Sequence, residues 1–200
     1  MASLQSDTMA PTAAPPIPVK VLVSGGFGAG KTTLVHALSE FKPLDTEAAM
    51  TTASTGIDFA GDGSQKTTTT VAMDFGRITI DQSLVLYLFG TPGQDRFGFM
   101  WNDLADGALG GLVLVDPSRL ADCYTALDYF ESRDLPIVVA VNQFEGRTGM
   151  TLEEVREATN VDPSVPVVSV DARDRDSVKA AILALLHQVL SRAKQLTGAV

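Results

Sequence analysis

Gly25-Gly26-Phe27-Gly28-Ala29-Gly30-Lys31-Thr32 spells G-x-x-x-x-G-K-T, and the fold follows from how this stretch is read. It is preceded by Ile17-Pro18-Val19-Lys20-Val21-Leu22-Val23, a β-branched run, and followed by Thr33-Leu34-Val35-His36-Ala37-Leu38, a helix-like one. Strand, glycine turn and helix, in that order, are the setting a phosphate-binding loop requires. Glycines let the backbone wrap closely round a polyphosphate and turn several N–H groups toward it, and the helix start adds its positive dipole end. In this pattern Lys31 reaches the β- and γ-phosphates and the Thr32 hydroxyl holds Mg²⁺. Gly25, Phe27, Gly28, Ala29, Gly30 and Thr33 complete the loop's share of a nucleotide site.

Outward from the loop, strand and helix patterns alternate. Residues 1–16 are rich in Ala, Pro, Ser and Thr and end in Pro15-Pro16, the composition of a disordered arm. Residues 17–200 read as one domain. The first helix is expected over about 31–41, a long polar loop over 42–65, and an aromatic loop over 93–108. Asp81-Gln82-Ser83 marks a hairpin turn between residues 71–81 and the apolar run 84–89. Residues 112–115, 137–141 and 165–170 read as buried strands, with Pro166 at a strand start or sheet edge.

Three more helices are expected. Asp116-Pro117 can open one, with Leu120, Cys123, Leu127 and Phe130 on one face. Thr151-Leu152-Glu153-Glu154 is a capping box opening a short one. The last runs from Ser177 to about Gln195, with Val178, Ala181, Ile182, Leu185, Leu186 and Val189 as its apolar stripe. This is an α/β pattern: a mostly parallel six-stranded sheet with one antiparallel edge strand and helices on both faces, as in P-loop nucleoside triphosphatases.

Composition narrows the partners. A net charge of −9 repels phosphate backbones, which excludes nucleic acid and disfavours anionic lipid. A single cysteine, Cys123, cannot close an intramolecular disulfide; it fits a reducing cytoplasm and reads as a small buried apolar residue. No apolar run reaches the length of a membrane span, and neither end shows a signal or lipidation pattern.

Three later stretches extend the site. Gly90-Thr91-Pro92-Gly93-Gln94-Asp95-Arg96-Phe97 resembles the D-T-A-G-Q-E-R-F stretch of the Ras and Rab small GTPases. The resemblance implies that Gly93 binds the γ-phosphate and that Gln94 orients the attacking water, while Lys31 and the loop amides stabilise the developing charge. Thr67 to Phe75 resembles the Rab stretch T-I-G-V-D-F, which implies a second Mg²⁺ ligand at Thr70, with the register open across Thr67–Thr70. Asn142-Gln143-Phe144-Glu145 resembles the guanine-reading N-K-x-D. That implies that Asn142 braces the phosphate loop, with Gln143 beside it. Glu145 would accept from guanine N1–H and the 2-amino group, a pairing adenine does not offer. Asp171-Ala172-Arg173 stands where those families have S-A-K, which implies an Ala172 N–H on guanine O6.

Over residues 17 to about 195 the chain resembles bacterial Ras-like small GTPases, most of all the actinobacterial conservon-type proteins related to the MglA polarity GTPases. Residues 66–76 and 86–97 carry this. The resemblance implies a cytoplasmic GTP/GDP switch that uses Mg²⁺ and hydrolyses GTP slowly. It also implies a roadblock-type regulator and a sensor-kinase-like protein as partners, with peripheral membrane recruitment through them. Phe97, Phe99, Met100 and Trp101 would form a switchable partner surface, or else pack under the neighbouring helix.

Two departures from the pattern matter. Gly90 stands where the pattern has its Mg²⁺-linked aspartate; Asp95, Asp74 and Asp116 are the candidates to replace it, and Gly90→Asp is expected to tighten nucleotide at low Mg²⁺. Phe27 replaces a glycine beside the γ-phosphate and is expected to crowd Gln94 and slow hydrolysis. Both departures favour the alternative of a nucleotide-binding scaffold with little or no hydrolysis. A third reading, an ATP-using P-loop kinase, has no acceptor-substrate domain to support it.

Overall fold

The computed structural model describes residues 14–41, 73–93, 99–143 and 149–198. The readings made for residues 1–13, the 42–65 loop, Thr67–Thr70, Gln94, Asp95, Phe97 and Glu145 lie outside these residues. In chain order the elements are β1 (Ile17–Gly25), α1 (Lys31–Leu38), β2 (Phe75–Thr79), β3 (Leu84–Gly90), α2 (Phe99–Ala105), β4 (Ala108–Val115), a 3-10 turn (Leu120–Cys123), α3 (Tyr124–Ser132), β5 (Ile137–Asn142), α4 (Leu152–Thr159), β6 (Val167–Val170) and α5 (Arg175–Thr197).

The six strands form one sheet in the order β2-β3-β1-β4-β5-β6. β1 pairs parallel with both β3 and β4, β4 with β5, and β5 with β6. Only β2 runs antiparallel, paired with β3 from Phe75 opposite Phe89 to Thr79 opposite Val85. The expected α/β architecture is therefore present, and β1 leads into the glycine loop at the point where the chain's strand order reverses. In open α/β sheets that point opens a crevice at the carboxyl ends of the strands.

Strand alternation divides the core in two. Val21 and Val23 of β1, Leu112 and Leu114 of β4, and Val138 and Ala140 of β5 face a cluster with Leu34 and Val35 of α1 and Val178 and Leu185 of α5. Leu22, Val113, Val115, Val139 and Val141 face the other side, against Leu127 and Phe130 of α3 and Val155 of α4. Side chains buried on both faces explain why these strands read as unbroken apolar runs.

Local signals were realised where they are complete within a few residues. Thr151 accepts from the Glu154 N–H while the Glu154 carboxylate accepts from the Thr151 N–H, the reciprocal capping box expected at the start of α4. Pro166 directly precedes β6, an edge strand. Asp174 caps α5 by accepting from the Asp176 N–H. Cys123 is buried, and burial pushes its thiol up to about 11, so it is the inert apolar residue expected.

Other expectations need correction. The aromatic loop read over 93–108 contains α2, and β4 begins at Ala108. Of the two readings of Trp101, packing holds and solvent presentation does not: it is 6% exposed and meets Tyr129 edge-on at 5.0 Å between ring centres. Asp116 does not open an α-helix directly. Its Oδ1 accepts from the Ser118 N–H and hydroxyl, and a 3-10 turn intervenes before α3. No helix among the described residues is long and apolar enough to cross a membrane.

Candidate functional site

The glycine loop leaves β1 through Gly25, whose φ of +139 suits glycine, and a Cβ there would lie 2.1 Å from the Leu114 carbonyl oxygen. At its far end Gly30, left-handed at φ 104, is the N-cap of α1. Lys31 then turns back under the loop, where its Nζ donates to the carbonyls of Gly25 at 2.8 Å and Gly26 at 2.7 Å. Burial pushes this amine down to about 8, with the Asp74 carboxylate pulling it partly back up. An ammonium carries three donors, so holding the loop leaves capacity for a phosphate oxygen.

Gly93 closes over this lysine. A Cβ on Gly93 would fall 2.6 Å from Lys31 Nζ and 3.1 Å from both Cα and N of Phe27. Only a bare backbone fits there, which places the segment after β3 against the phosphate loop. Phe27, by contrast, is 66% exposed; Gln94, which it is expected to crowd, lies outside the described residues. What is held at Phe27 is its carbonyl, which accepts from Arg119 Nη2 at 2.7 Å.

Arg119 is a site residue that the sequence reading missed. It lies in the turn after β4, bridges Asp116 and Asp122, and reaches the loop from the neighbouring strand. The available signal was Asp116-Pro117-Ser118-Arg119 directly after a buried strand, at the same end of the sheet as the loop.

The other end of the loop is tied to β5 and β6 through one side chain. Asn142, 3% exposed, donates from Nδ2 to the Ala29 carbonyl at 2.9 Å and accepts the Ala172 N–H on Oδ1 at 3.0 Å. Beside it, a hollow of about 170 Å³ is lined by Gly30, Thr33, Asn142, Gln143, Asp171, Ala172 and Arg173. All seven were read from the sequence as nucleotide-site residues, and the fold brings them together. Asp171 faces Arg173: its side-chain bonds from the guanidinium, then the Arg173 N–H, hold its carboxyl down to about 2.

On the opposite side of α1's first turn, the Thr32 hydroxyl donates to Asp74 Oδ2 at 2.9 Å. Asp74 sits alongside Gly90, whose N–H donates to the Asp74 carbonyl at 2.8 Å. A Cβ on Gly90 would come within 2.8 Å of Asp74 Cβ and 2.9 Å of its Oδ2. Gly90→Asp alone would therefore crowd Asp74, a cost that the expectation of tighter nucleotide binding did not include. The variant should lose about 1–3 kcal/mol of stability through overpacking, with charge repulsion adding to it. Urea denaturation measures this, and a variant as stable as the parent would contradict the geometry.

The chain matches a family described as conserved hypothetical ATP-binding proteins over residues 23–194. It is also 32% identical over 127 residues to an uncharacterized protein of the archaeon Methanocaldococcus jannaschii, spanning 62% of this chain and 70% of that one. These findings overturn the resemblance to conservon-type and other Ras-like GTPases, and the roadblock-type and kinase-like partners it implied lose their support. The motifs that suggested it are short and shaped by phosphate binding. A glycine loop ending in Gly-Lys-Thr, and a glycine turn closing over that lysine, answer the needs of a polyphosphate in any P-loop protein. With a match that runs from β1 into the last turns of α5, the chain belongs to the family of conserved hypothetical ATP-binding proteins.

Proposed function

We propose that the protein binds a purine nucleoside triphosphate, guanine preferred, and slowly hydrolyses its γ-phosphate, with the two nucleotide states offered to protein partners. One observation carries the binding: the hollow lined by Asn142, Asp171 and Ala172 adjoins the loop over Lys31, so a base and a phosphate chain have neighbouring seats. Lys31 and the loop N–H groups would neutralise charge on the β- and γ-phosphates. Gln94 would hold a water in line; the water oxygen bonds to the γ-phosphorus as the bond to the β–γ bridging oxygen breaks, leaving the diphosphate.

The residues present fit a divalent cation, since the Thr32 hydroxyl at the loop's exit already faces a carboxylate. Thr32, with Thr70, would hold Mg²⁺, which supplies charge neutralisation to the phosphates when bound.

Guanine preference rests on Glu145 following Asn142 in the order of a guanine-reading motif. Adenine is the second reading, favoured by the family's description as ATP-binding. Competition between labelled GDP and unlabelled GTP or ATP decides. Glu145→Ala should weaken GTP binding by about 2–4 kcal/mol, as for deletion of a charged acceptor of two bonds, and leave ATP unaffected. Equal displacement by ATP would overturn the guanine choice. Phosphate release with and without Gln94→Leu tests hydrolysis; equal rates would favour a scaffold that does not turn nucleotide over.

Phe27 bears on the rate. Its backbone lies against Gly93 and its side chain is largely exposed, so the ring would shield the γ-phosphate from an incoming arginine on the outer side. Phe27→Gly should raise single-turnover phosphate release with little change in GDP affinity, because the backbone amides stay. Equal or slower release would make the ring irrelevant to turnover.

A further inference from the structure

We propose that Arg119 is a positioning residue for the phosphate loop: its guanidinium holds the Phe27–Gly28 peptide in the orientation that offers the Gly28 N–H to a nucleotide's phosphates. This rests on the nucleotide reading above and adds to it a residue from outside the glycine loop.

The guanidinium is held on three sides. Nε donates to Asp116 Oδ2 at 3.3 Å, Nη1 faces Asp122 Oδ2 at 3.6 Å, and Nη2 donates to the Phe27 carbonyl at 2.7 Å. The two carboxylates stand three residues before and after Arg119, whereas Phe27 is 92 positions away. A guanidinium is planar, with its donors in a fixed fork, so the two carboxylates set the direction of the third bond. The support is itself seated on the loop. Asp116 is buried, and a Cβ on Gly26 would lie 2.4 Å from the Cβ of Asp122.

What this fork fixes is a peptide plane. In a trans peptide the C=O and N–H point in opposite directions, so holding the Phe27 carbonyl toward Arg119 turns the Gly28 N–H away from it. Gly28 has φ +73, and a Cβ there would lie 3.2 Å from Arg119 Nη2. Successive N–H groups round such a left-handed residue form an anion-binding concavity. The Arg119 side chain is 45% exposed, and ion pairs so exposed contribute little to stability. Its effect should therefore be read in the loop and not in the melting temperature.

The test uses the full chain with isotope-labelled glycine, and GDP and ADP as probes with Mg²⁺. In the parent, the Gly28 amide proton should move downfield as the bound probe's phosphate accepts from it. In Arg119→Ala that movement should shrink, and the tighter-binding probe should be held about 10- to 100-fold more weakly, the loss expected for one hydrogen bond to a charged acceptor. The apo melting temperature should stay within about 4 °C of the parent. Arg119→Lys keeps the charge without the fork and should behave as Arg119→Ala does. Parental affinity and a parental Gly28 signal in Arg119→Ala overturn the inference and leave the nucleotide reading standing. Recovery of both in Arg119→Lys assigns the effect to charge alone and also overturns it, as does a larger fall in the apo melting temperature, which assigns Arg119 to stability. A parent protein that binds neither probe overturns the proposed function, and this inference with it.

Discussion

Lys31→Ala is expected to weaken nucleotide binding by at least about 100-fold and to leave the fold intact. An ammonium bonded to two phosphates contributes about 1.5–3 kcal/mol per charged hydrogen bond, and Lys31 sits directly beneath the loop. The apo protein should lose little stability, because the two carbonyl bonds are set against the cost of burying a charge. That cost has a pH signature. The folded amine titrates near 8, below its ordinary value of 10.5, so the unfolded chain binds the proton more tightly between those values. Stability of the parent relative to Lys31→Ala should then rise with pH from about 8 to 10.5, and be flat and lowest below 8. Calorimetric binding gives the affinity, and thermal melts of the two apo proteins in EDTA give the pH trend. Near-parental affinity in the folded variant would remove the phosphate-loop claim.

Asn142→Ala is expected to damage both the fold and the site. The side chain is buried, and its loss strands the Ala29 carbonyl and the Ala172 N–H together. Each unsatisfied buried group costs about 1–3 kcal/mol, so the variant should lose about 2–6 kcal/mol. For a chain of this size that lowers the melting temperature by about 4–24 °C. Nucleotide affinity should fall as well, because the loop and the β6 exit are no longer held in register. Asn142→Asp should not rescue: it keeps the acceptor for Ala172 N–H but sets a carboxylate against the Ala29 carbonyl. A loss below about 1 kcal/mol in urea denaturation would show that water replaces the brace.

Helix and strand boundaries were legible wherever a few neighbouring residues carry the whole signal. The capping box at Thr151 and Glu154 needs only four residues, and it formed. The strands at 112–115 and 137–141 announced themselves because both faces of a parallel sheet are covered. By contrast α2 has only seven residues, too few to display a helical period between two loops. The early part of β4 was hidden by Gly110 and Gly111, which have low strand propensity. Their reason is tertiary: a Cβ on Gly111 would lie 2.5 Å from the Phe130 ring, and one on Gly110 would lie 2.5 Å from the Pro136 carbonyl.

The amino-acid order by itself determined the phosphate loop and the mostly parallel sheet, whereas most residues round the hollow were read through the resemblance to small GTPases. Glycine turns, caps and apolar periods are local physics, and the loop's place at a strand end follows from them. Family was not determined that way, since phosphate binding imposes the same short motifs on different lineages. Only the tertiary structure decided which of the described acidic residues stands beside Thr32. Asp74 is 42 positions away along the chain and was one candidate among three. The antiparallel register of β2 on β3 brings it next to Gly90, and the missing side chain at Gly90 leaves room for its carboxylate. Arg119 reached the loop by the same kind of cause, the parallel pairing of β1 with β4. Contacts of this kind depend on strand register summed over the whole sheet, which no short stretch of sequence contains.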